Sequence, residues 1–259
     1  MIDISAVTLA DVPCLVVRAP TIERRPLLIW HHGWSGHKGD PANPSAHLLK
    51  LAQAGLVVVC PDAPGHGERA NAEFQRRRQF NGWAVICAAM EQARGEAGPL
   101  LDAALALPGI APTYACVAGV SMGGVIAQLA FASEPRFAAL VSVIGRSSLH
   151  QADPWCRDAQ RGTWCERWCD QQAPSGHPER FGERPVLFVD GGLDDDCPAA
   201  INAETVARIN AAGGRAEHSV DPACGHDYSE SMQDSVRTWI RGQVSAAILH
   251  ACRYRSSTD

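Results

Sequence analysis

The sequence of 259 residues lacks the features that would mark it for a membrane, for secretion or for a nucleic acid. No apolar run approaches the roughly 20 residues of a membrane span, and the first residues lack the basic, apolar and small-residue succession of a signal peptide. Its 23 basic and 28 acidic residues leave a net charge of only −5, too mild to favour nucleic acid or a charged membrane surface. We therefore expect a single cytoplasmic domain over residues 1–259, with neither of these partners.

Standard zinc-binding patterns are also missing, although ten cysteines are many for this length. There is no Cys-x-x-Cys pair and no histidine at zinc-ligand spacing. Three cysteines each follow a tryptophan in one polar stretch, at Cys156, Cys165 and Cys169. A helix would place Cys165 and Cys169 on one face, where Cys156 could join them. We interpret these residues as packing of small and aromatic side chains, and the alternative is a structural metal or a disulfide.

Apolar runs alternate with helix-prone segments along the chain. We predict strands at 4–9, 14–18, 26–30, 56–60, 115–120, 138–145, 185–190 and 215–220, the first two joined in a hairpin by a turn at 11–13. Helices are predicted at 45–54, 125–133, 199–212 and 229–250, and another at 83–107 in two pieces or with a bend, because Pro99 and two glycines interrupt it. This rhythm predicts an α/β fold with a mainly parallel sheet between helices, and ligands at the carboxyl ends of the strands.

The alternation breaks at 146–183, where three tryptophans, three cysteines and many charges stand without a strand signal. Connections this long are usually functional or partly structured, so we predict a small helical cap inserted there. Trp155, Trp164 and Trp168 either wall an apolar acyl or aromatic substrate site or form the core of this cap. The polar stretch 70–80 is interpreted as a solvated face rather than an anion-binding patch.

A Gly-x-Ser-x-Gly pentapeptide joins the predicted strand 115–120 to the helix after it. A serine at such a sharp turn projects its hydroxyl above the sheet, and Gly119 and Gly123 lack the side chains that would collide there. Ser121 is therefore the candidate nucleophile. The alternative is a tight connection in which Ser121 only caps the helix.

A serine hydroxyl is a weak nucleophile that needs an adjacent base, normally a histidine oriented by a carboxylate. His226 follows the last predicted strand and can reach back over the sheet, so it is the candidate base. Three carboxylates follow the preceding strand, at Asp194, Asp195 and Asp196. Each is a candidate for the acid on position alone.

The order Ser121, Asp194, His226, each in a loop after a strand, resembles the α/β-hydrolase family over nearly the whole chain. In that family the acid commonly stands three residues after a strand-end glycine and shortly before a proline, as Asp194 stands between Gly191 and Pro198. The resemblance therefore implies the α/β-hydrolase fold and favours Asp194 over the two aspartates that follow it.

The segment 32–34 resembles the oxyanion-hole loop of that family. The resemblance implies that the backbone N–H groups of Trp34 and Met122 stabilise the oxygen that becomes negative in the tetrahedral intermediate. His31 and His32 are interpreted as hydrogen-bonding residues that brace this loop, and the alternative is a catalytic role.

The segments 32–38 and 61–69 look most like the compact branch related to dienelactone hydrolases and prolyl-oligopeptidase catalytic domains. A dienelactone hydrolase would have cysteine in place of Ser121, and the oligopeptidase propeller is absent. The resemblance implies a small serine esterase of the carboxylesterase class (EC 3.1.1) that acts on a small-molecule ester and needs no cofactor or metal. The same triad also serves peptidases, thioesterases, lactonases and acyltransferases, and a non-catalytic binding protein is the rival from another class.

Overall fold

One mixed sheet forms the centre of the protein, whose computed structural model describes residues 2–39, 45–80, 82–149 and 162–255. Its strands are β1 (Asp3–Leu9), β2 (Val12–Arg18), β3 (Arg25–His31), β4 (Val57–Pro61), β5 (Ile110–Val120), β6 (Phe137–Val143), β7 (Pro185–Gly191) and β8 (Arg215–Asp221). They lie in the order β1-β2-β4-β3-β5-β6-β7-β8, and β2 is antiparallel to both its neighbours while the other pairs are parallel. The predicted α/β class with a mainly parallel sheet is confirmed.

Helices cover both faces of this sheet. They are α1 (Ser45–Gln53), α2 (Ala72–Phe80), α3 (Gly82–Leu105), α4 (Met122–Ser133), α5 (Trp164–Gln172), α6 (Ala199–Ala211) and α7 (Glu230–Arg255). Within the described ranges, none of the helices combines the length and the apolar character that crossing a bilayer requires.

The continuous apolar run of β3 shows why the sheet needs cover on both sides. Leu27 and Ile29 are buried with side chains of α3, α4 and α6. Leu28 and Trp30 point the other way and are buried with side chains of α1 and α7. Since successive residues of a strand face opposite sides, an unbroken apolar run is typical of a strand buried on both faces.

Two predicted details of the chain differ from the structure. The first hairpin turns at Ala10 and Asp11, with φ of 47° and 63°, and β2 already begins at Val12. Positive φ at both central residues is the geometry of the two-residue turn that matches strand twist, so the predicted turn at 11–13 was placed too late. Helix α3 is not divided into the two pieces that were one of the predicted alternatives. It continues through Pro99 as one helix, because its buried apolar face outweighs one missing backbone hydrogen bond.

The connection from β6 to β7 contains α5 in its described part. This helix packs against α3, and the chain then returns to the main core, where Phe181 is fully buried with its ring centroid 6.0 Å from that of Phe131. Trp155 and Cys156 lie outside the described residues. The helix that the structure describes in the predicted cap is therefore α5.

Candidate active site

Ser121 stands at the turn between β5 and α4, with φ of 55° and ψ of −121°. A Cβ on Gly119 would lie 2.2 Å from the Gly123 carbonyl oxygen, and one on Gly123 would lie 2.2 Å from the His31 carbonyl oxygen. Only glycine fits at either position, which explains the pentapeptide. The Ser121 side chain makes no capping hydrogen bond to α4, so its interpretation as a helix cap is wrong.

Three of the predicted site residues form one hydrogen-bonded chain. Ser121 Oγ lies 3.0 Å from His226 Nε2, and His226 Nδ1 lies 2.8 Å from Asp194 Oδ2. The second oxygen of Asp194 accepts hydrogen bonds from the backbone N–H groups of Asp196 (2.9 Å) and Cys197 (2.8 Å). The Asp194 side chain is fully buried, whereas 30% of the His226 side chain is exposed. Asp194 is thus fixed by its surroundings, and the imidazole is open to a substrate.

The loop after β3 passes directly beside this serine. A Cβ on Gly33 would lie 3.5 Å from Ser121 Cβ, and the loop is closed by a hydrogen bond of 3.1 Å from Gly36 N–H to the Gly33 carbonyl. Met122 is the first residue of α4, where a backbone N–H has no acceptor within the helix. Trp34 and Met122 both line the cavity that contains Ser121. The two residues whose N–H groups are predicted to bind the oxyanion therefore line the same cavity as the serine.

This cavity has a volume of about 400 Å³. Most of its lining is apolar, and the polar lining residues besides the serine and histidine are Arg146, Asp196 and Cys197. The apolar residues are Trp34, Trp83, Ile86, Met90, Met122, Val125 and Leu149. The site can hold an apolar group next to the Ser121 hydroxyl.

The two described tryptophans of the predicted cap lie elsewhere. Trp168 is buried and its indole N–H donates to Glu91 Oε2 at 2.9 Å. Trp164 is 46% exposed and stacks on Trp168. Neither is among the residues that line the cavity, where Trp34 and Trp83 provide the indole rings. Among the described residues, the structure therefore does not bring Trp164 or Trp168 together with the serine.

Residues 27–168, more than half of the chain, match the alpha/beta hydrolase family. The chain belongs to this family. This α/β hydrolase is 27% identical to Esterase YjfP of Escherichia coli (strain K12) over 93% of its own length and 99% of that protein. The resemblance inferred from the sequence is confirmed.

Solved structures show the same fold. TT1662 from Thermus thermophilus matches with a TM-score of 0.70 and 22% identity, over 94% of this chain and 98% of that one. A putative dienelactone hydrolase from Klebsiella pneumoniae subsp. pneumoniae MGH 78578 matches with a TM-score of 0.70 and 16% identity, over 94% and 99%. The α/β-hydrolase fold predicted for this family member therefore holds over nearly the whole chain.

His32 braces the loop after β3 of this α/β hydrolase as a neutral imidazole. Its Nε2 accepts a hydrogen bond of 3.0 Å from Ala63 N–H, so its Nδ1–H is the group that donates to the Gly33 carbonyl at 2.8 Å. Burial lowers the pKa of His32 to about 4 and that of His31 to about 3. The hydrogen bonds of His32 and the burial of His31 support the structural interpretation of both histidines.

The free energy of unfolding is expected to fall as the pH is lowered from 7 to 5. His31 and His32 stay neutral in the folded protein, while the unfolded chain takes up a proton on each below its ordinary pKa of about 6.5. The free energy of unfolding is therefore unaffected by these two groups above that pH. By pH 5, proton uptake by each histidine in the unfolded chain lowers it by about 2 kcal/mol. Urea unfolding at both pH values measures this loss. A His32→Asn variant should lose about 2 kcal/mol less between the two pH values, and an equal loss would contradict the assignment.

An ion pair ties the same loop to the segment after β4. Lys38 Nζ lies 2.6 Å from Asp62 Oδ2, and the backbone N–H groups of Lys38 and Glu68 donate to the two oxygens of this buried carboxylate. Burial alone raises the pKa of Asp62, but these hydrogen bonds outweigh it and hold the pKa below its ordinary value. A Cβ on Gly67, where φ is 52°, would lie 2.2 Å from Asp62 Oδ1, so this glycine is required for the contact.

Asp62→Asn is expected to lower the free energy of unfolding by about 3 kcal/mol, because it removes the charge of the fully buried partner of the Lys38 ammonium and leaves only the exposed Glu68 to pair with it. Urea unfolding measures the loss. Glu68→Gln is the matched control, since it removes the outer partner of the same lysine. The Glu68 side chain is 67% exposed. The control should cost less than about 1 kcal/mol, and equal effects of the two changes would contradict the burial argument.

Helix α2 packs against the loop after β3 from its outer side. Most described side chains of α2 are exposed, which confirms the predicted solvated face, but Phe74 and Arg78 are partly buried. The Arg78 guanidinium lies 4.7 Å from the centroid of the Trp34 ring and donates to Ser35 Oγ at 2.9 Å. The Phe74 ring lies 5.8 Å from the Trp34 ring. Neither residue was predicted from the sequence, because the polar composition of this stretch hides its single inward face.

Proposed function

We propose that the protein is a serine esterase of the carboxylesterase class, which cleaves a small-molecule ester through an acyl-serine intermediate. The observation that carries the proposal is the hydrogen-bond chain from Ser121 Oγ through His226 to the buried Asp194. Serine hydrolases use this arrangement to turn a weak hydroxyl into a nucleophile. The likeness to a protein named an esterase supports the same reaction class.

In the first half of the proposed reaction, Ser121 Oγ attacks the ester carbonyl carbon while His226 Nε2 takes its proton. Asp194 accepts the hydrogen bond from Nδ1–H, which keeps the Nε2 lone pair toward the serine and stabilises the imidazolium that forms. The N–H groups of Trp34 and Met122 donate to the oxyanion. When the tetrahedral intermediate collapses, the bond to the leaving oxygen breaks and His226 returns the proton to the departing alcohol.

In the second half, water attacks the carbonyl carbon of the acyl-serine. His226 removes a proton from this water, and the same two backbone donors stabilise the second oxyanion. The bond to Ser121 Oγ then breaks, the serine regains its proton from His226, and the carboxylic acid leaves. All protons pass between substrate, water and the side chains of this site.

The test is hydrolysis of p-nitrophenyl esters with acyl chains from acetate to laurate. The cavity of about 400 Å³ lies near the lower end of the range typical of ligand pockets, so we expect turnover that is faster on short chains than on laurate. Amide, thioester and lactone substrates tested beside the esters separate peptidase, thioesterase and lactonase activity from esterase activity, and an added acceptor alcohol reveals acyl transfer. No ester turnover, together with fluorophosphonate labelling of Ser121, would contradict the proposal and favour those reactions. No labelling at all would favour a non-catalytic binding protein.

A further inference from the structure

Three buried cysteines meet between α3 and α5, at one side of the proposed catalytic cavity. Cys165 Sγ lies 3.2 Å from Cys87 Sγ, and Cys87 Sγ lies 4.0 Å from Cys169 Sγ. All three sulfur atoms lie within 4.8 Å of one another. Cys165 and Cys169 are one helical turn apart and therefore share a face of α5, while Cys87 faces them from α3.

We propose that Cys87, Cys165 and Cys169 bind a thiophilic d¹⁰ metal ion of the Zn²⁺ class through three thiolates. Sulfur atoms bonded at about 2.3 Å to one tetrahedral ion lie about 3.8 Å apart, so the observed separations need shifts of less than about 1 Å. Sulfur ligands select such ions over Mg²⁺ or Ca²⁺. Three ligands come from the described residues, and the fourth position takes a further ligand. On binding, three S–H bonds break, three metal–sulfur bonds form and three protons pass to solvent.

A buried N–H group beside the cluster suits a bound thiolate. The indole N–H of Trp83 is buried without a hydrogen-bond partner and is placed to donate to a thiolate at Cys169. Because protons compete for the same sulfur atoms, metal affinity should rise with pH.

A disulfide accounts less well for the same three residues. A disulfide would use two cysteines and leave the third without a role. A single ion uses all three and links α5 to α3, whose Trp83, Ile86 and Met90 line the cavity.

Cadmium is the probe, because sulfur-to-cadmium charge transfer reports each thiolate ligand. Reduced, chelator-treated full-length protein is titrated with Cd²⁺ while the charge-transfer absorption and Tm are recorded. We expect one equivalent to give the absorption of three thiolates and to raise Tm by several degrees. Cys87→Ser and Cys169→Ser should each weaken binding at least 10-fold and remove about a third of the absorption. The matched control Cys116→Ser, a buried cysteine of β5, should keep both.

A second group of possible ligands requires its own control. Asp194, Cys197 and His226 also bring their ligand atoms within 4.8 Å of one another, but they include a single sulfur. Cys197→Ser should therefore keep the three-thiolate absorption. If this variant lost that absorption, the proposal would be overturned. Unchanged binding in Cys87→Ser, or a native mass lower by two hydrogens with Cys87 in a disulfide, would overturn it as well. If Cys87→Ser does not fold by circular dichroism, Cys169→Ala gives the same readout.

Discussion

Ser121→Ala is expected to lower kcat for ester hydrolysis by on the order of 10⁵-fold and to leave the fold intact. In the proposed reaction Ser121 Oγ forms the bond to the acyl group, and His226 Nε2, 3.0 Å away, takes its proton. Without the serine hydroxyl, His226 has no proton to take in this step. Losing the nucleophile of a triad therefore costs about as much as losing the whole triad. Alanine keeps the Cβ at a φ of 55°, so the turn itself changes little.

The control for this change is Ser133→Ala, at the opposite end of the same helix. Ser133 Oγ donates to the Leu129 carbonyl at 2.9 Å, and its loss removes one hydrogen bond on the partly buried face of α4. This variant should keep kcat within about twofold of wild type. Fluorophosphonate should label wild type and Ser133→Ala but not Ser121→Ala. A Ser121→Ala protein with kcat near that of wild type would refute the acyl-serine mechanism.

The three members of the hydrogen-bonded chain were predictable because each rests on a local signal. The serine has its pentapeptide, and the histidine and the carboxylate each follow a strand whose carboxyl end lies at the same edge of the sheet. Sequence position alone left three aspartates. The structure separates them by burial, since Asp194 is buried while Asp195 and Asp196 are exposed.

The residues around this chain were less predictable, because their partners are distant in sequence. Cys87 meets Cys165 across 78 positions, and Lys38 meets Asp62 across 24, so no spacing rule connects either pair. The tryptophans of α5 show a second limit of prediction from sequence spacing. The spacing of Trp164 and Trp168 places them one turn apart, but it does not say that the helix turns one indole onto Glu91 and leaves the other exposed.

Asp194→Asn is expected to lower kcat by about 10⁴-fold with little change in KM. In the wild type one carboxylate oxygen accepts two backbone N–H groups, from Asp196 and Cys197, and the other faces His226 Nδ1. An asparagine must keep its oxygen on the two N–H donors, so its NH₂ group faces Nδ1. The imidazole can then only accept at Nδ1 and carry its proton on Nε2, which leaves Ser121 without a base.

Asp195→Asn makes the same chemical change one residue away and separates this argument from a simple loss of charge. Asp195 is exposed, and the exposed carboxylate should be replaceable with kcat within about twofold of wild type. Both variants lose one negative charge near the histidine, so a similar loss of kcat in the two would mean that charge, and not the tautomer, controls the rate. A greater loss in Asp195→Asn would reassign the acid. We expect Asp194→Asn to lower kcat far more than Asp195→Asn. This ranking follows if Asp194 Oδ1, fixed by two backbone N–H donors, determines which nitrogen of His226 carries the proton.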